Sequence, residues 1–233
     1  MFHTDTVTVK RGEVYDEGLR QFMLGVYNHM TFALAVSGLI ALGLSMSQVA
    51  MQIIWGTPLK WFALFSPLAM SLAFAFMADK MSVTMTRVYL VTYAAAVGIC
   101  MSFVFLLFKL GSIANVFFIT ASTFGAASIY GYITKRDLTS MGSFLMMGVI
   151  GIVIAGVVNL FFQSSMMAFV ISCISVLVFT GLTAYDTQRL REVYDELYDE
   201  EMVKAGVFGA LNLYTNFINI FLNLLQILGE KKE

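Results

Sequence analysis

The chain has 233 residues, of which 59% are hydrophobic and only 12% are charged. A soluble domain carries roughly 25% charged and about 45–50% apolar residues, so this composition excludes an ordinary soluble globular protein. The net charge of −1, without a sustained basic run, also argues against nucleic acid as a partner. The lipid bilayer is the expected partner, and one membrane domain is the expected organisation.

Apolar stretches long enough to cross a bilayer as helices, about 20 residues each, recur along the chain. We predict an all-α membrane protein with seven transmembrane helices. The membrane domain is expected to occupy residues 23–229, between a cytosolic tail of residues 1–22 and a C-terminal tail of residues 230–233. The predicted spans are Leu24–Met46, Trp61–Ala78, Val88–Phe108, Ile113–Ile133, Gly142–Phe162, Met166–Asp186 and Gly206–Leu228.

Short connections and small residues predict how the spans pack. The third and fourth spans are separated only by Lys109–Ser112, and the fifth and sixth only by Gln163–Ser165, so each pair is expected to form an antiparallel hairpin. Small residues recur every four positions on two spans, which lets helix backbones approach closely within a bilayer. They are Ala33, Ser37, Ala41 and Ser45 on the first span and Ala94, Gly98 and Ser102 on the third.

The distribution of Lys and Arg predicts the orientation. With seven spans, the N-terminal tail and the even-numbered connections hold ten of these residues, and the opposite side holds four. Because positive residues are retained on the cytosolic side, the N-terminus is expected in the cytosol and the C-terminus outside. The four residues on the external side are Lys60, Lys109, Lys231 and Lys232.

The last predicted span carries four amides on one face. At about 100° per residue they fall within an arc of roughly 60°. Two interpretations stay open, because the amides either line a hydrated path or form hydrogen bonds that hold helices together. The amides are Asn212, Asn216, Asn219 and Asn223, and the opposite apolar face carries Leu213, Phe217, Phe221, Leu224 and Leu225.

The sixth span ends in a polar segment around Asp186, on the same broad face as Thr183. Carboxylates within membrane spans are costly and often functional. Asp186 is therefore a candidate ion-pathway or gate residue, with Arg189 and Arg191 as candidate gate partners. The alternative is an exposed aspartate that pairs with one of these arginines. The acidic segment of residues 192–201 either attracts cations or is a solvated helical turn.

Five segments together resemble the Bax inhibitor family, most closely its bacterial branch. The resemblance covers the chain after its N-terminal tail. It implies a bacterial inner-membrane protein folded as a seven-helix bundle, with the last helix at the centre and surrounded by the other six. The segments are Phe22–Asn28, Tyr130–Asp137, Gly142–Gly148, Thr183–Gln188 and Leu213–Phe221.

The resemblance also implies a function. Members of the family are associated with a pH-sensitive calcium leak and with restraint of stress-induced death or of membrane proteolysis. Their pH sensor is a pair of aspartates that share a proton, one near the end of the sixth helix and one in the seventh. Asp186 matches the first aspartate, whereas Asn216 stands at the position of the second. This chain therefore lacks the second carboxylate of the sensor.

The residues favour a passive cation or calcium pathway near Asp186 and the amide stripe. One carboxylate with several amides gives only a weak calcium site, so calcium is expected as a transported ion, and no cofactor is expected. The alternative is a regulatory protein that binds another membrane protein, such as a quality-control protease, without conducting ions. An enzyme is not expected, because intramembrane aspartyl hydrolysis needs two carboxylates. The oligomeric state is left open.

Overall fold

The computed structural model describes residues 4–232, with the side chains of residues 17–74, 76–78 and 80–232. These residues form α-helices and one short 3₁₀ turn, without a β-strand among them, which confirms the predicted all-helical class. The helices are α1 (Thr4–Ser45), α2 (Gln48–Gly56), α3 (Leu59–Met77), α4 (Val83–Met101), α5 (Val104–Leu107), α6 (Leu110–Ile133), α7 (Thr139–Phe162), α8 (Ser165–Glu196) and α9 (Asp199–Leu228).

Six helical segments in the described part of the chain are long and apolar enough to cross a membrane. The second predicted span corresponds to α3, whose apolar part, Leu59–Phe74, is shorter. At 1.5 Å per residue that part is about 24 Å long, less than the hydrocarbon thickness of about 30 Å. The predicted count of seven is therefore not confirmed. The six segments are Glu17–Ser45, Val83–Leu107, Leu110–Ile133, Thr139–Phe162, Ser165–Glu196 and Asp199–Leu228.

Helix α9 is the most buried of these segments, with 67% of its most apolar 18-residue stretch inside the protein. Its main neighbours are α1, α4, α6 and α8. Helix α3 reaches it through Phe74, whose ring centroid lies 4.9 Å from that of Phe208. Helix α7 packs mainly on α8 instead. The last helix thus lies in the interior of the bundle, but its main packing partners are four helices and not all six.

The small-residue stripes lie where α1 crosses α4. Ala33 and Ala94 are fully buried, and Ser37 is 1% exposed. An ideal Cβ built on Gly98 would lie 2.8 Å from the Ser37 carbonyl oxygen, so only glycine fits there. The close approach predicted from the spacing is confirmed at this crossing, since helices in lipid associate mainly through packing of this kind.

Two residues connect α7 to α8, and their local chemistry explains the tight turn. Gln163 adopts a left-handed conformation, with φ 50°, that ends α7. The Ser164 side chain then accepts a hydrogen bond from the Met167 amide and caps α8. Because α7 and α8 also pack against each other, the predicted hairpin between the fifth and sixth spans is confirmed.

The C-terminal strap, residues 229–232, is fixed to the junction between α5 and α6. The Lys109 amide donates to the Glu230 carbonyl at 2.9 Å, and the Lys232 amide donates to the Leu107 carbonyl at 2.8 Å. A salt bridge of 3.2 Å joins the side chains of Lys109 and Glu230. The end of α9 is therefore tied to the turn between the third and fourth predicted spans.

The predicted N-terminal tail lies partly outside the described residues. Residues 1–3 and the side chains of residues 4–16, including Lys10 and Arg11, are not among them. From Thr4 onward the backbone belongs to α1. The boundary predicted at residue 22 stays a prediction.

Candidate functional site

Helix α8 carries Asp186, and glycines on its two neighbours leave room for it. An ideal Cβ at Gly131 of α6 would lie 2.1 Å from the Ala184 carbonyl oxygen, and one at Gly142 of α7 would lie 2.5 Å from the Tyr185 ring. A side chain at either position would therefore displace α8. Both glycines belong to segments that carry the family resemblance, which gives those segments a packing role.

Asp186 and Asn216 meet between α8 and α9. The Asn216 amide donates to a carboxylate oxygen of Asp186 at 2.7 Å. Asn216 is 5% exposed and Asp186 is half-buried. The predicted proximity of these two residues is confirmed. The amide contributes a hydrogen-bond donor and no charge, so the pair holds one carboxylate where the family pattern has two.

This pair forms part of the wall of a cavity of about 480 Å³, which residues of α3, α4, α7, α8 and α9 line. Its remaining wall combines apolar side chains with several small polar ones. The arrangement provides a carboxylate, an amide and hydroxyl oxygens around one internal space. The small polar residues are Ser71, Ser143, Asn212 and Thr215.

The two candidate gate arginines have different positions. Arg189 lines the same cavity as Asp186 and acts on its charge through space, but among the described side chains no salt bridge joins the two residues. Arg191 instead donates to the Tyr132 carbonyl at 3.2 Å. Of the two candidate gate arginines, Arg189 is therefore the one that lines the cavity.

Helix α8 does not end at Asp186 as predicted but continues to Glu196, and α9 begins at Asp199. The acidic segment of residues 192–201 is therefore mostly helical, as the last turns of α8 and the first turn of α9. Its acidic residues in this first turn are exposed. Of the two interpretations, the solvated helical turn describes this geometry.

The amide stripe of α9 divides into two parts. Asn212 and Asn216 line the cavity. The Asn219 and Asn223 amides donate to carbonyl groups of their own helix, at 2.9 Å to Thr215 and 2.8 Å to Asn219. These last two side chains are partly exposed and do not line that cavity. Among the described hydrogen bonds of the four amides, only that of Asn216 joins α9 to another helix.

The apolar face of α9, expected to lie away from the polar path, forms much of the core. Leu213 is fully buried, and Phe217 and Phe221 are 4% and 3% exposed. The rings of Phe217 and Phe124 lie 5.6 Å apart, which brings α6 onto this face. The core forms on this side because large apolar side chains fill the space between helices better than amides do.

The side chains around the cavity fit at most a weak calcium site. Among the described residues, no group of three or more His, Cys, Asp or Glu side chains converges. Calcium prefers six to eight oxygen ligands, usually with several carboxylates. Asp186 supplies one carboxylate, and Asn212, Thr215 and Asn216, whose side chains contain oxygen atoms, line the same cavity.

A set of contacts between α1, α4 and α9 links the cavity to a second one. Tyr93 lines the cavity and meets the buried Tyr214 ring edge-on, at 5.9 Å between centroids. The Tyr214 hydroxyl bonds to the Ser37 hydroxyl at 2.6 Å. Ser37 in turn lines a second, smaller cavity of about 110 Å³. We call Tyr93, Tyr214 and Ser37 the tyrosine layer, because these residues connect the lining of one cavity to that of the other.

Sequence reasoning missed Tyr214 and Gln188. Tyr214 lies on the apolar face of α9, opposite the amide stripe, and helix periodicity does not predict the Ser37 partner that its hydroxyl finds on α1. Gln188 accepts from the Leu138 amide at 2.9 Å and donates to the Arg136 carbonyl at 2.8 Å. It holds the connection between α6 and α7 onto α8. Its place in the segment Thr183–Gln188 was the available signal.

The fold and the site together define a class. A bundle of long apolar helices that encloses a partly polar cavity is a polytopic integral membrane protein. The family model described as "Inhibitor of apoptosis-promoting Bax1" matches residues 19–233 of the chain. The chain belongs to this family, the Bax inhibitor family.

Bacterial relatives match over almost the whole chain. A protein of Rickettsia prowazekii is 39% identical over 233 residues, covering 99% of both chains. One of Caulobacter vibrioides is 41% identical over 230 residues, covering 94% of this chain and 92% of the relative. The inner membrane protein YbhL of Escherichia coli is 36% identical over 219 residues, covering 92% of this chain and 94% of the relative.

Proposed function

We propose that this protein provides a passive pathway for cations, with calcium as the best-suited ion. The observation that carries the proposal is the pair of Asp186 and Asn216 on the wall of the 480 Å³ cavity. A negative charge in a confined space raises the local concentration of cations. Carbonyl and hydroxyl oxygens beside it replace part of the hydration shell of the ion. The calcium leak that the family resemblance implies supports the same function.

The charges at the cavity favour slow transport. Arg189 lines the space that Asp186 lines, so its positive charge opposes entry of a divalent cation. A single carboxylate with neutral oxygens holds calcium weakly. Weak binding is compatible with a leak because the ion must leave as well as enter.

The tyrosine layer is the barrier in this proposal. Tyr214 is fully buried, and its hydroxyl bonds to Ser37 on α1. An ion that moves from the larger cavity to the smaller one has to pass between α1, α4 and α9 at this level. Ser37→Ala removes the partner of the Tyr214 hydroxyl and is expected to loosen the layer and increase the leak. Calcium release from loaded liposomes measures the effect.

The location and orientation are part of the proposal. The name of the relative YbhL supports the inner membrane of a bacterium. With α3 counted as a seventh span, the ten-to-four division of Lys and Arg supports a cytosolic N-terminus and an external C-terminus. Reporter enzymes fused to the C-terminus test the orientation, and activity of a cytosolic reporter there would contradict it.

The pH response is expected to be flatter than that of a protein with two aspartates at this site. Two carboxylates in contact cannot both ionise cheaply in a poorly solvated space, so they share a proton. Asp186 instead accepts a hydrogen bond of 2.7 Å from the neutral amide of Asn216, which is not a second carboxylate that could share a proton. Asn216→Asp restores the pair. Its calcium leak is expected to be stronger at alkaline pH, where both carboxylates are charged, and weaker in acid.

The test is calcium and proton flux across a pH series, in liposomes that contain only the purified protein. Asn223→Asp is the matched control, since it adds a carboxylate to the same helix away from Asp186. A steep pH response is expected for Asn216→Asp only, and adding Asp186→Asn to that variant should abolish it. An Asn216→Asp profile as flat as the wild type would show that the two positions are not coupled. No flux in any variant would reject the pathway.

A second function is favoured by the outer face of α7. In its most apolar 18-residue stretch no residue is buried, and Gly151 has open space beside it. Small residues on a lipid-facing helix allow another membrane helix to pack closely. A regulatory protein that binds a membrane protein such as a quality-control protease would use such a face. Co-purification of that partner, without flux in liposomes, would favour this function over the first.

A further inference from the structure

Another cavity lies apart from Asp186, as a groove of about 680 Å³ between α1 and α6. We call it the α1–α6 groove. Its walls include Leu24 and Ile129, which are 47% and 63% exposed, so the groove opens outward from the bundle. In a bilayer this side meets lipid. If this outward apolar groove stayed empty, the side chains that line it would lose dispersion contacts.

The hydroxyl groups of Tyr27 and Ser128, on the floor of the groove, already have hydrogen-bond partners within the protein. Tyr27 and Ser128 share a hydrogen bond through these hydroxyl groups. Ser128 also bonds to the Thr187 hydroxyl at 3.1 Å, and Thr187 donates to the Thr183 carbonyl at 2.8 Å. Because these hydroxyls satisfy one another, the floor presents mainly carbon atoms. That surface suits an acyl chain.

The length of the groove matches one leaflet. Between Arg20 and Tyr27 on α1 the helix rises about 10 Å, and between Phe124 and Tyr132 on α6 about 12 Å, at 1.5 Å per residue. Half of a hydrocarbon core of about 30 Å is about 15 Å. The groove can therefore hold most of one acyl chain of a lipid in a single leaflet.

Two arginines stand at one end. Arg20 lines the groove, and Arg191 bonds to the backbone carbonyl of Tyr132, which also lines it. Among the described side chains, Glu17 forms an exposed ion pair with Arg20 at 3.3 Å. Exposed pairs of this kind contribute little and exchange readily. Guanidinium groups bind phosphate through two parallel hydrogen bonds, so this end complements an anionic headgroup.

We propose that the α1–α6 groove binds an anionic phospholipid, with one acyl chain between the two helices and its phosphate at Arg20 and Arg191. This site is independent of the cation pathway and does not rest on it. The bound lipid would fill the space between α1 and α6, two of the main neighbours of α9.

Gly125 makes a direct test possible. It lines the groove, and a Cβ built on it meets nothing within 4 Å, so Gly125→Leu fills the groove without a clash inside the protein. Gly111→Leu is the matched control, since Gly111 lies on the same helix outside the groove and has equally open space. Native mass spectrometry of the full chain, titrated with phosphatidylglycerol or phosphatidylcholine, counts the lipids that remain bound.

The wild-type protein and Gly111→Leu are expected to retain one phosphatidylglycerol about tenfold more tightly than phosphatidylcholine, the preference that nearby Arg side chains give for anionic lipid. Gly125→Leu should lose the retained lipid. The double variant Arg20→Gln with Arg191→Gln should keep acyl-chain binding but lose the preference, and Glu17→Gln should strengthen it.

Three results would overturn the proposal. The first is equal retention of the two lipids by the wild type. The second is unchanged retention in Gly125→Leu, which would mean that the lipid lies elsewhere on the surface. The third is a change of oligomeric state in Gly125→Leu without loss of lipid, which would show that a second copy of the chain occupies the groove. Size-exclusion chromatography of each variant checks its fold and oligomeric state.

Discussion

Helices α7 and α9 differ in hydropathy and burial, and the relation between these two properties is the opposite of that in a soluble protein. Helix α7 is the most apolar of the candidate spans, yet no residue of its most apolar stretch is buried, whereas α9 is among the least apolar and is 67% buried over the same length. In water the apolar helix would form the core. In a bilayer the surrounding lipid is as apolar as a leucine side chain, so helices are buried for their packing and polar contacts. The helix with amides and a tyrosine hydroxyl is therefore inside.

The largest effect is expected from truncating a buried leucine of α9. Leu213 is fully buried and Leu160 of α7 is 68% exposed. Leu213→Ala should lower the free energy of unfolding by about 2–5 kcal/mol, because it leaves a cavity among packed side chains. Leu160 faces lipid, which fills the space that its side chain leaves, so Leu160→Ala should lower the free energy of unfolding by less than about 1 kcal/mol. Unfolding in mixed micelles measures both, and equal losses would contradict the comparison.

The next largest difference between α7 and α9 is expected for substitutions at their glycines. A Cβ on Gly209 of α9 would lie 2.1 Å from a methyl carbon of Leu190, whereas a Cβ on Gly151 of α7 meets nothing within 4 Å. Gly209→Ala should therefore destabilise the protein by about 1–3 kcal/mol through overpacking. Gly151→Ala should stabilise α7 by roughly 0.5–1 kcal/mol, since alanine is the better helix former. If the melting temperature of Gly151→Ala falls as that of Gly209→Ala does, α7 is packed against another helix at this position.

A smaller difference is expected between two amides of α9 itself. Asn216→Leu removes the donor to Asp186 and leaves a half-buried carboxylate without it, which should cost about 1–3 kcal/mol. Asn223 donates only to its own helix, so Asn223→Leu should change stability by less than about 0.5 kcal/mol. Chemical unfolding of the two variants separates them. A large loss at Asn223 would indicate a polar partner for that amide.

The smallest effect concerns the start of α7. The exposed Asp137 accepts from the Thr139 amide at 2.8 Å, and hydrogen bonds from the side chain and then the backbone of Thr139 lower the pKa of its carboxyl group. A lowered pKa gives stability that is present above the unfolded-state pKa and is lost as pH falls through the folded-state value. Asp137→Asn should remove this acid dependence. The melting temperature of the wild type should exceed that of Asp137→Asn at pH 6, and the two values should converge as the pH falls to 3. A difference that stays constant with pH would contradict the prediction.

Much of the fold could be predicted because membrane spans depend on length and composition. The close crossing at Ser37 and Gly98 was predicted because small-residue spacing reports directly on packing. The end of α8 was not predicted, since the helix continues past Asp186 into polar residues where hydropathy no longer gives a signal. The division of the amide stripe could not be predicted either, because an amide that bonds to its own helix has the same spacing as one that bonds to a neighbour.

The meeting of Asp186 and Asn216 was predicted from the resemblance, and their contact confirms it. The cavity around them was not, because its wall combines α3, α4 and α7 with these two helices. Which faces meet depends on how the helices cross. Tyr93 illustrates this, since nothing in its own span distinguishes it from a lipid-facing tyrosine.

The position of α9 and the C-terminal strap has a consequence for how the protein is made. A ribosome synthesises the chain from its N-terminus, so the helix that fills the interior is the last to enter the membrane. Until then α1, α4, α6 and α8 have no partner for the faces that α9 will contact. The backbone bonds of Lys109 and Lys232 can form only after α9 and the C-terminal strap have been synthesised. A nascent chain stalled before residue 199 would therefore present these unfilled faces to the insertion and quality-control machinery of the cell.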